Sequence, residues 1–490
     1  MKTKTIQDPA ALVRRNYLFI GLGLLLLLFA VYVPLSPEIL NVRGIELTGA
    51  GRVSLGVLLF ALVMWISEAI PFHITGLLAV ALLALLKVDN FTQIVSVGFG
   101  NQIVVFFIGV LILSAFVTHS GMGRRISVFL LSKTGNSTSL ILLGFLTLGA
   151  LLAMWITEMA VAAMLMPLAV AILKEEGLEP MKSNFGKGLL ITCAWGPGIG
   201  GIGTPAGAGG NPIAIGFLKD MAGIELSFID WMKFGVPSAL LLIIPAWLVL
   251  KLFFKPEITH LSKTKEQLEA DFRALAPMDR QEKMTVGLFV LTIILWLTTP
   301  FFEGILGLPI PISLPVLLTS SIFFFPGVSK ISWKQIQSEI SWSGILLIVT
   351  GISLGMMVYQ SGAANWLSIL LLGGIGNLGL YLQIFSVVLL VSLLKVAFSS
   401  NTVTATIVIP IMIALSQNLG LDPLSVTIPA GLTSGMAFIL VTSTPTNIIP
   451  YSAGYFSIKD LAKAGTALTL VSSLVLALVI KLILPISGIS

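Results

Sequence analysis

Apolar runs of about 20 residues, the length that crosses roughly 30 Å of hydrocarbon, recur along the chain from Tyr17–Leu35 to Thr466–Leu484. Between them, polar, glycine-rich and proline-rich stretches cut other apolar segments into shorter pieces. Ser400-Asn401-Thr402 separates Leu380–Phe398 from Val403–Leu415, and each flank is too short to span comfortably, so a turn there predicts a re-entrant pair. The pattern predicts an all-α polytopic membrane protein with about eleven transmembrane helices plus two re-entrant helical hairpins in two inverted repeats. Lys2, Lys4, Arg14 and Arg15 precede a long first run with no small-residue cleavage site after it, so that run is expected to stay as a span.

Composition agrees: 56% of the 490 residues are hydrophobic and only 10% charged, against about 25% in soluble domains, which excludes an ordinary soluble enzyme. The net charge of +6 reads as a topology signal, and no nucleic acid is implied. With the N-terminus in the cytoplasm, 21 of the 28 Lys and Arg residues fall inside and five outside (Arg43, Arg52, Lys87, Lys219, Lys233). This asymmetry predicts a multi-pass protein of the inner (cytoplasmic) membrane whose C-terminus faces outside. Lone Cys193 excludes an internal disulfide, and His73, His119 and His260 lack the spacing of a shared metal site.

The chain divides as follows: 1–53, an N-terminal span and outer loop; 54–254, a first repeat; 255–283, a charged cytoplasmic linker; and 284–490, a second repeat. In the first repeat a hairpin at about 138–173 precedes an unwound break at 196–212. In the second, a hairpin at about 380–417 precedes a break at 441–450. Pro167 follows Glu158 by nine residues, as Pro410 follows Asn401. Both breaks end in Asn: Gly203-Thr204-Pro205 runs on to Asn211, and Thr444-Pro445-Thr446 to Asn447. Equal order and near-equal spacing argue for duplication, and a carrier of inverted halves places its site where they meet.

Irregular backbone at membrane depth is tolerated only where it lines a cavity or is buried in protein. Helix N-termini at the hairpin tips offer free N–H groups that favour an anion, and Ser, Thr and Asn add donors without formal charge. Carbonyls of the facing breaks suit a small cation beside it. The candidate substrate-binding residues are therefore Thr157, Glu158, Ser400, Asn401, Thr402, Gly203, Thr204, Pro205, Asn211, Thr444, Pro445, Thr446 and Asn447. No nucleophile elbow, HExxH segment or paired catalytic carboxylate is present, so the expectation is not an enzyme but a carrier of a small di-anion, with an anion channel as the reading of a different class.

The residues resemble the divalent anion:sodium symporter family of di- and tricarboxylate carriers. Trp65-Ile66-Ser67-Glu68-Ala69-Ile70-Pro71 is close to the family's early W-x-x-E-A-x-P segment. Gly200-Gly201-Ile202-Gly203-Thr204-Pro205 resembles its first unwound break, and Ser400-Asn401-Thr402 matches its second tip at all three positions. The likeness runs from roughly Ser54 to the C-terminus. It implies a homodimer in the lipid bilayer whose protomers pair a scaffold with a transport domain moving like an elevator. It also implies substrate carboxylates at both tips and Na+ between each tip and its break; at the better matched tip the candidate ligands are Ser400, Asn401, Thr444 and Asn447. The expected function is secondary active transport of C4-dicarboxylates such as succinate or malate, by exchange (antiport) or coupled to Na+ or H+. Sodium-coupled symport of a tricarboxylate or an inorganic di-anion, citrate or sulfate, is the alternative.

The first tip departs from the family's Ser-Asn-Thr, reading Thr157-Glu158-Met159, so a carboxylate stands where an amide is expected. An ionisable group inside a membrane segment costs about 2.5–3.5 kcal/mol on insertion scales and is a functional candidate. Glu158 can bind a cation, carry a coupling proton or pair with a base; the plain alternative is a steric substitute facing water. Lys395, five residues before Ser400, is the second coupling candidate, either as a fixed counter-charge to the anion or as a side chain snorkelling to the surface.

Overall fold

The computed structural model describes residues 9–489; Lys2 and Lys4, and the side chains of Arg124 and Lys265, lie outside what it describes. Helix α1 (Pro9–Tyr32), the turn α2 (Pro37–Leu40) and a ribbon of β1 (Asn41–Val42) with β2 (Ile45–Glu46) lead to α3 (Gly49–Ser67). Then come α4 (Phe72–Leu85), α5 (Phe91–Phe99), α6 (Gln102–His119) and α7 (Met122–Thr134). The first hairpin is α8 (Thr138–Ala153) with α9 (Glu158–Glu175); α10 (Asn184–Gly201) and α11 (Gly210–Ala222) are halves of a broken helix, and α12 (Phe228–Phe253) is long and continuous. After α13 (Lys265–Arg273) in the linker, the chain forms α14 (Arg280–Leu306), α15 (Ser313–Ile322), α16 (Trp333–Gln337), α17 (Trp342–Gln360) and α18 (Ala363–Leu372). The second hairpin is α19 (Leu380–Ala397) with α20 (Asn401–Leu419), the second broken helix α21 (Pro423–Ser434) with α22 (Pro445–Ser452), and the last long helix α23 (Ile458–Ile483).

Among the described residues nine helices are long and apolar enough to cross a membrane, two of them, α19 and α20, being the arms of the second hairpin, and four shorter apolar helices accompany them. The order hairpin, broken helix, long helix occurs twice, and its details recur. Both long helices start with the same capping box, Ser227 with Asp230 and Ser457 with Asp460, in which each serine and aspartate satisfy one another's backbone N–H. Both back the preceding break with a glycine: a Cβ on Gly235 would lie 2.5 Å from the carbonyl oxygens of Ile202 and Gly203, and one on Gly465 would lie 2.0 Å from that of Phe438.

The halves interlock. Helix α4 packs on α17 as α15 packs on α6, and each hairpin's second arm lies against the other half's broken helix, α9 on α22 and α20 on α11. The contact between hairpins and flanking helices is unequal, however. Helix α20 lies along α17 and α18, because Gly351 and Gly355 leave room for Thr406 and Pro410, whereas α9 touches α6 and α7 only sparsely. Within the first half, α8 and α10 are the most closely packed pair, through Gly149, Gly196 and Gly200. Past α12, Glu257 accepts hydrogen bonds from Ser183 and from the Phe185 amide at 2.9 Å. Burial pushes its carboxyl up, but these bonds outweigh burial and hold it below the usual carboxylate range.

A Cβ at Gly200 would fall 2.0 Å from the Ala150 carbonyl oxygen, where backbone cannot give way. Gly200→Ala should therefore destabilise the detergent-purified protein by roughly 1–3 kcal/mol. Gly287→Ala, which meets nothing within 4 Å, should stay within about 0.5 kcal/mol. Equal melting temperatures for the two variants would contradict the α8–α10 packing described here.

Candidate functional site

The two hairpin tips meet. Asn401 donates through Nδ2 to Glu158 Oε1, joining the first residue of α20 to the first residue of α9 across 243 positions of sequence. Since a carboxylate oxygen only accepts, the Asn401 amide nitrogen must face it. Beside this contact lies a cavity of about 390 Å³. Thr157, Glu158, Ser400, Asn401, Thr402, Thr444, Pro445 and Thr446 line it, with Phe107, His73, Ser343 and Gly344 on the opposite wall.

What this wall presents is backbone. The N-cap residues of six helices line the cavity: Pro71 of α4, Thr157 of α9, Gly209 of α11, Ser341 of α17, Ser400 of α20 and Thr444 of α22. Each helix N-terminus carries free N–H groups and the equivalent of about half a positive charge. Among the described residues no Lys or Arg lines the cavity, and Glu158 is the one acidic residue that does. The arrangement can hold an anion by converging amides and hydroxyls.

Gly203, Thr204, Pro205, Asn211 and Asn447 sit behind this wall. Asn211 donates from Nδ2 to the carbonyls of Gly201 and Thr204, both at 2.7 Å, and Asn447 does the same to Ala437 at 2.6 Å and Leu440 at 2.9 Å. In both halves the asparagine thus reaches ten and seven residues back and ties the break to the start of the next half-helix. The amide nitrogens are engaged in holding backbone and are not free for substrate. Thr204 donates to the Met154 carbonyl, the Glu158 amide donates to the Gly207 carbonyl at 3.3 Å, and these bonds dock the first tip on its break. Thr157 Oγ1 also meets Ser114 Oγ of α6 at 3.3 Å.

Lys395 is buried, and its ammonium does not reach the surface: Nζ donates to the Ser443 carbonyl at 3.1 Å, while Ser443 Oγ donates back to the Lys395 carbonyl at 3.2 Å. A basic side chain thus already lies next to Thr444, at the second tip and break where the resemblance implied Na+. Ser400 Oγ accepts from the Val403 amide at 3.4 Å and Thr444 Oγ1 from the Thr446 amide at 3.4 Å, so both hydroxyls are also caps. Three buried acceptors in this region lack a hydrogen-bond partner: Glu158 Oε2, Asn401 Oδ1 and Asn211 Oδ1. An all-oxygen set fits a hard cation such as Na+. Among the described residues no cluster of three or more His, Cys, Asp or Glu side chains would hold a transition metal.

A second cavity of about 450 Å³ shares Leu111, Thr157 and Met159 with the first and runs between α6 and α9 to Glu339, which is 3.2 Å from His119. Sequence reasoning missed the wall opposite the tips. Pro71 and Ser341 carry ordinary helix-start signals, but nothing local says that these helices aim at the tips. His73, which the sequence marked only as lacking metal-site spacing, is part of that wall.

The profile of the sodium:sulfate symporter transmembrane region matches residues 23–486. The chain belongs to the divalent anion:sodium symporter family. Relatives in this family include the sodium-dependent dicarboxylate transporter SdcS of Staphylococcus saprophyticus, 29% identical over 459 residues that make up 90% of this chain and 87% of that protein. The transporter of the same name from Staphylococcus aureus is 30% identical over 462 residues, with the same coverage. Among solved structures, the Alcanivorax borkumensis YdaH transporter superposes with a TM-score of 0.57 over 96% of this chain and 98% of that one, at 15% identity, and shares the fold. The family settles the class: this is a polytopic membrane transporter.

Replacing either clamp strips the donor from one buried carbonyl, that of Gly201 or of Ala437, at about 1–3 kcal/mol, while the Thr204 and Leu440 carbonyls keep the amides of Gly207 and Ser443. Asn211→Ala and Asn447→Ala should both lower the melting temperature of the purified protein, and by similar amounts. Loss of transport in either variant with unchanged melting would show that the amide serves substrate instead.

Proposed function

We propose that this protein is a secondary active transporter of C4-dicarboxylates such as succinate or malate across the cytoplasmic membrane, working by exchange or coupled to a cation. The observation that carries this reading is the convergence of six helix N-termini on one cavity between two joined hairpin tips. Such a site holds carboxylates through fixed backbone dipoles, and the named activity of the staphylococcal relatives supports the C4 class. Ser400, Asn401, Thr402 and Thr157 face the anion; Glu158 and Lys395 are the coupling residues.

The distribution of Lys and Arg supports a cytoplasmic N-terminus and an outer C-terminus. In that orientation the Thr157–Met159 vestibule opens to the cytoplasm and the seat of α20 on α17 closes the outer path. The hairpins with their broken helices form the moving part of an elevator, and the remaining helices a scaffold that pairs in a homodimer. Sodium coupling is favoured by the relatives' sodium dependence and by the unpartnered oxygens of Asn211, Asn401 and Glu158.

The test is radiolabelled succinate uptake into proteoliposomes with an inward Na+ gradient, without Na+, and with malate preloaded. Asn401→Ala should cut uptake by about 100-fold while leaving membrane insertion intact, since it removes the amide at the better matched tip. Near-normal uptake by that variant, or saturable uptake of sulfate in place of succinate, would sink the assignment.

A further inference from the structure

Among the side chains described, only two charged ones are buried: Glu158 at 8% exposure and Lys395 at 2%. One is an acid and the other a base, and each belongs to a different hairpin. Glu158 opens the second arm of the first, and Lys395 lies in the last turn of the first arm of the second. They are not in direct contact. Glu158 is held by Asn401 and lines the cavity beside Thr444 and Thr446, while Lys395 is held by the Ser443 carbonyl, so both are anchored at the second break. Every intervening residue, from Ser443 to Thr446, belongs to that break.

A single unbalanced charge buried in protein must be neutralised or paired. Two opposite charges fixed in one body cancel in its distant field, and a neutral body enters a low-dielectric region far more readily than a charged one. The geometry points to Glu158 and Lys395 as a charge-compensating pair that keeps the empty hairpin assembly neutral, so that the unloaded site recrosses the membrane and the carrier moves its anion net rather than only by exchange. This rests on the cavity being the substrate site of a secondary carrier. It also says why a carboxylate is tolerated at the first tip: it balances the buried Lys395 of the second hairpin. An anion that enters a neutral assembly then needs a co-bound cation, for which the unpartnered oxygens of Asn211 and Asn401 are available.

The experiment compares two fluxes of radiolabelled succinate in one preparation, with Na+ on both sides and the membrane potential clamped: uptake into vesicles free of internal anion, and exchange into vesicles preloaded with succinate. The wild type should show net uptake within about tenfold of its exchange. Glu158→Gln and Lys395→Met should each lower the ratio of net to exchange flux by about tenfold or more, and the double variant, neutral again, should restore it. Exchange without net uptake in the wild type overturns the pairing role while the dicarboxylate site stands. A ratio unchanged in both single variants, or not restored in the double, overturns it as well. No wild-type flux in either mode, with malate as with succinate, removes both this inference and the dicarboxylate assignment. If the variants carry no flux at all, the wild-type ratio alone decides.

Discussion

A helix that stops inside a membrane leaves amides that lipid cannot satisfy, and the rest of this structure answers that constraint. Four interruptions occur at depth, two at hairpin tips and two within broken helices, and none is left alone. Each tip is docked on a break, each break is tied by an asparagine, and the helices that restart there, α9, α11, α20 and α22, begin at the lining of one shared cavity. Polarity there comes from chain direction rather than from basic side chains. Backbone dipoles are fixed by the helices that carry them, so the anion meets an environment already organised for it.

The duplication explains both what repeats and what does not. Capping boxes at Ser227 and Ser457, glycines at Gly235 and Gly465 and clamps at Asn211 and Asn447 hold the frame, and they match. The tips themselves differ, Thr157-Glu158-Met159 against Ser400-Asn401-Thr402. The two are complementary rather than equivalent, an acceptor on one tip and a donor on the other.

Much of this was legible in the sequence because it is local. Apolar run length gave the spans, the polar interruptions gave the hairpins, and the spacing of Pro167 and Pro410 gave the repeat. The individual site residues were only partly legible. Thr444 and Asn447 look alike as ligands in a motif, yet one lines the cavity and the other grips backbone behind it, a distinction that depends on how the half-helices meet. Lys395 sits in an apolar arm from which it might equally have reached the surface; only the position of the Ser443 carbonyl decides that it points inward. The aim of α4 and α17 at the tips is purely tertiary, and no periodicity reports it.

The unequal seating of the two hairpins has a mechanical meaning. Gly351 and Gly355 let α20 come so close to α17 that Thr406 and Pro410 occupy the space two side chains would take. The first hairpin has no such close seat, so the second is the more firmly held of the two. A methyl group added to that groove would wedge α20 away from α17, loosening one hairpin alone without altering any group that lines the cavity.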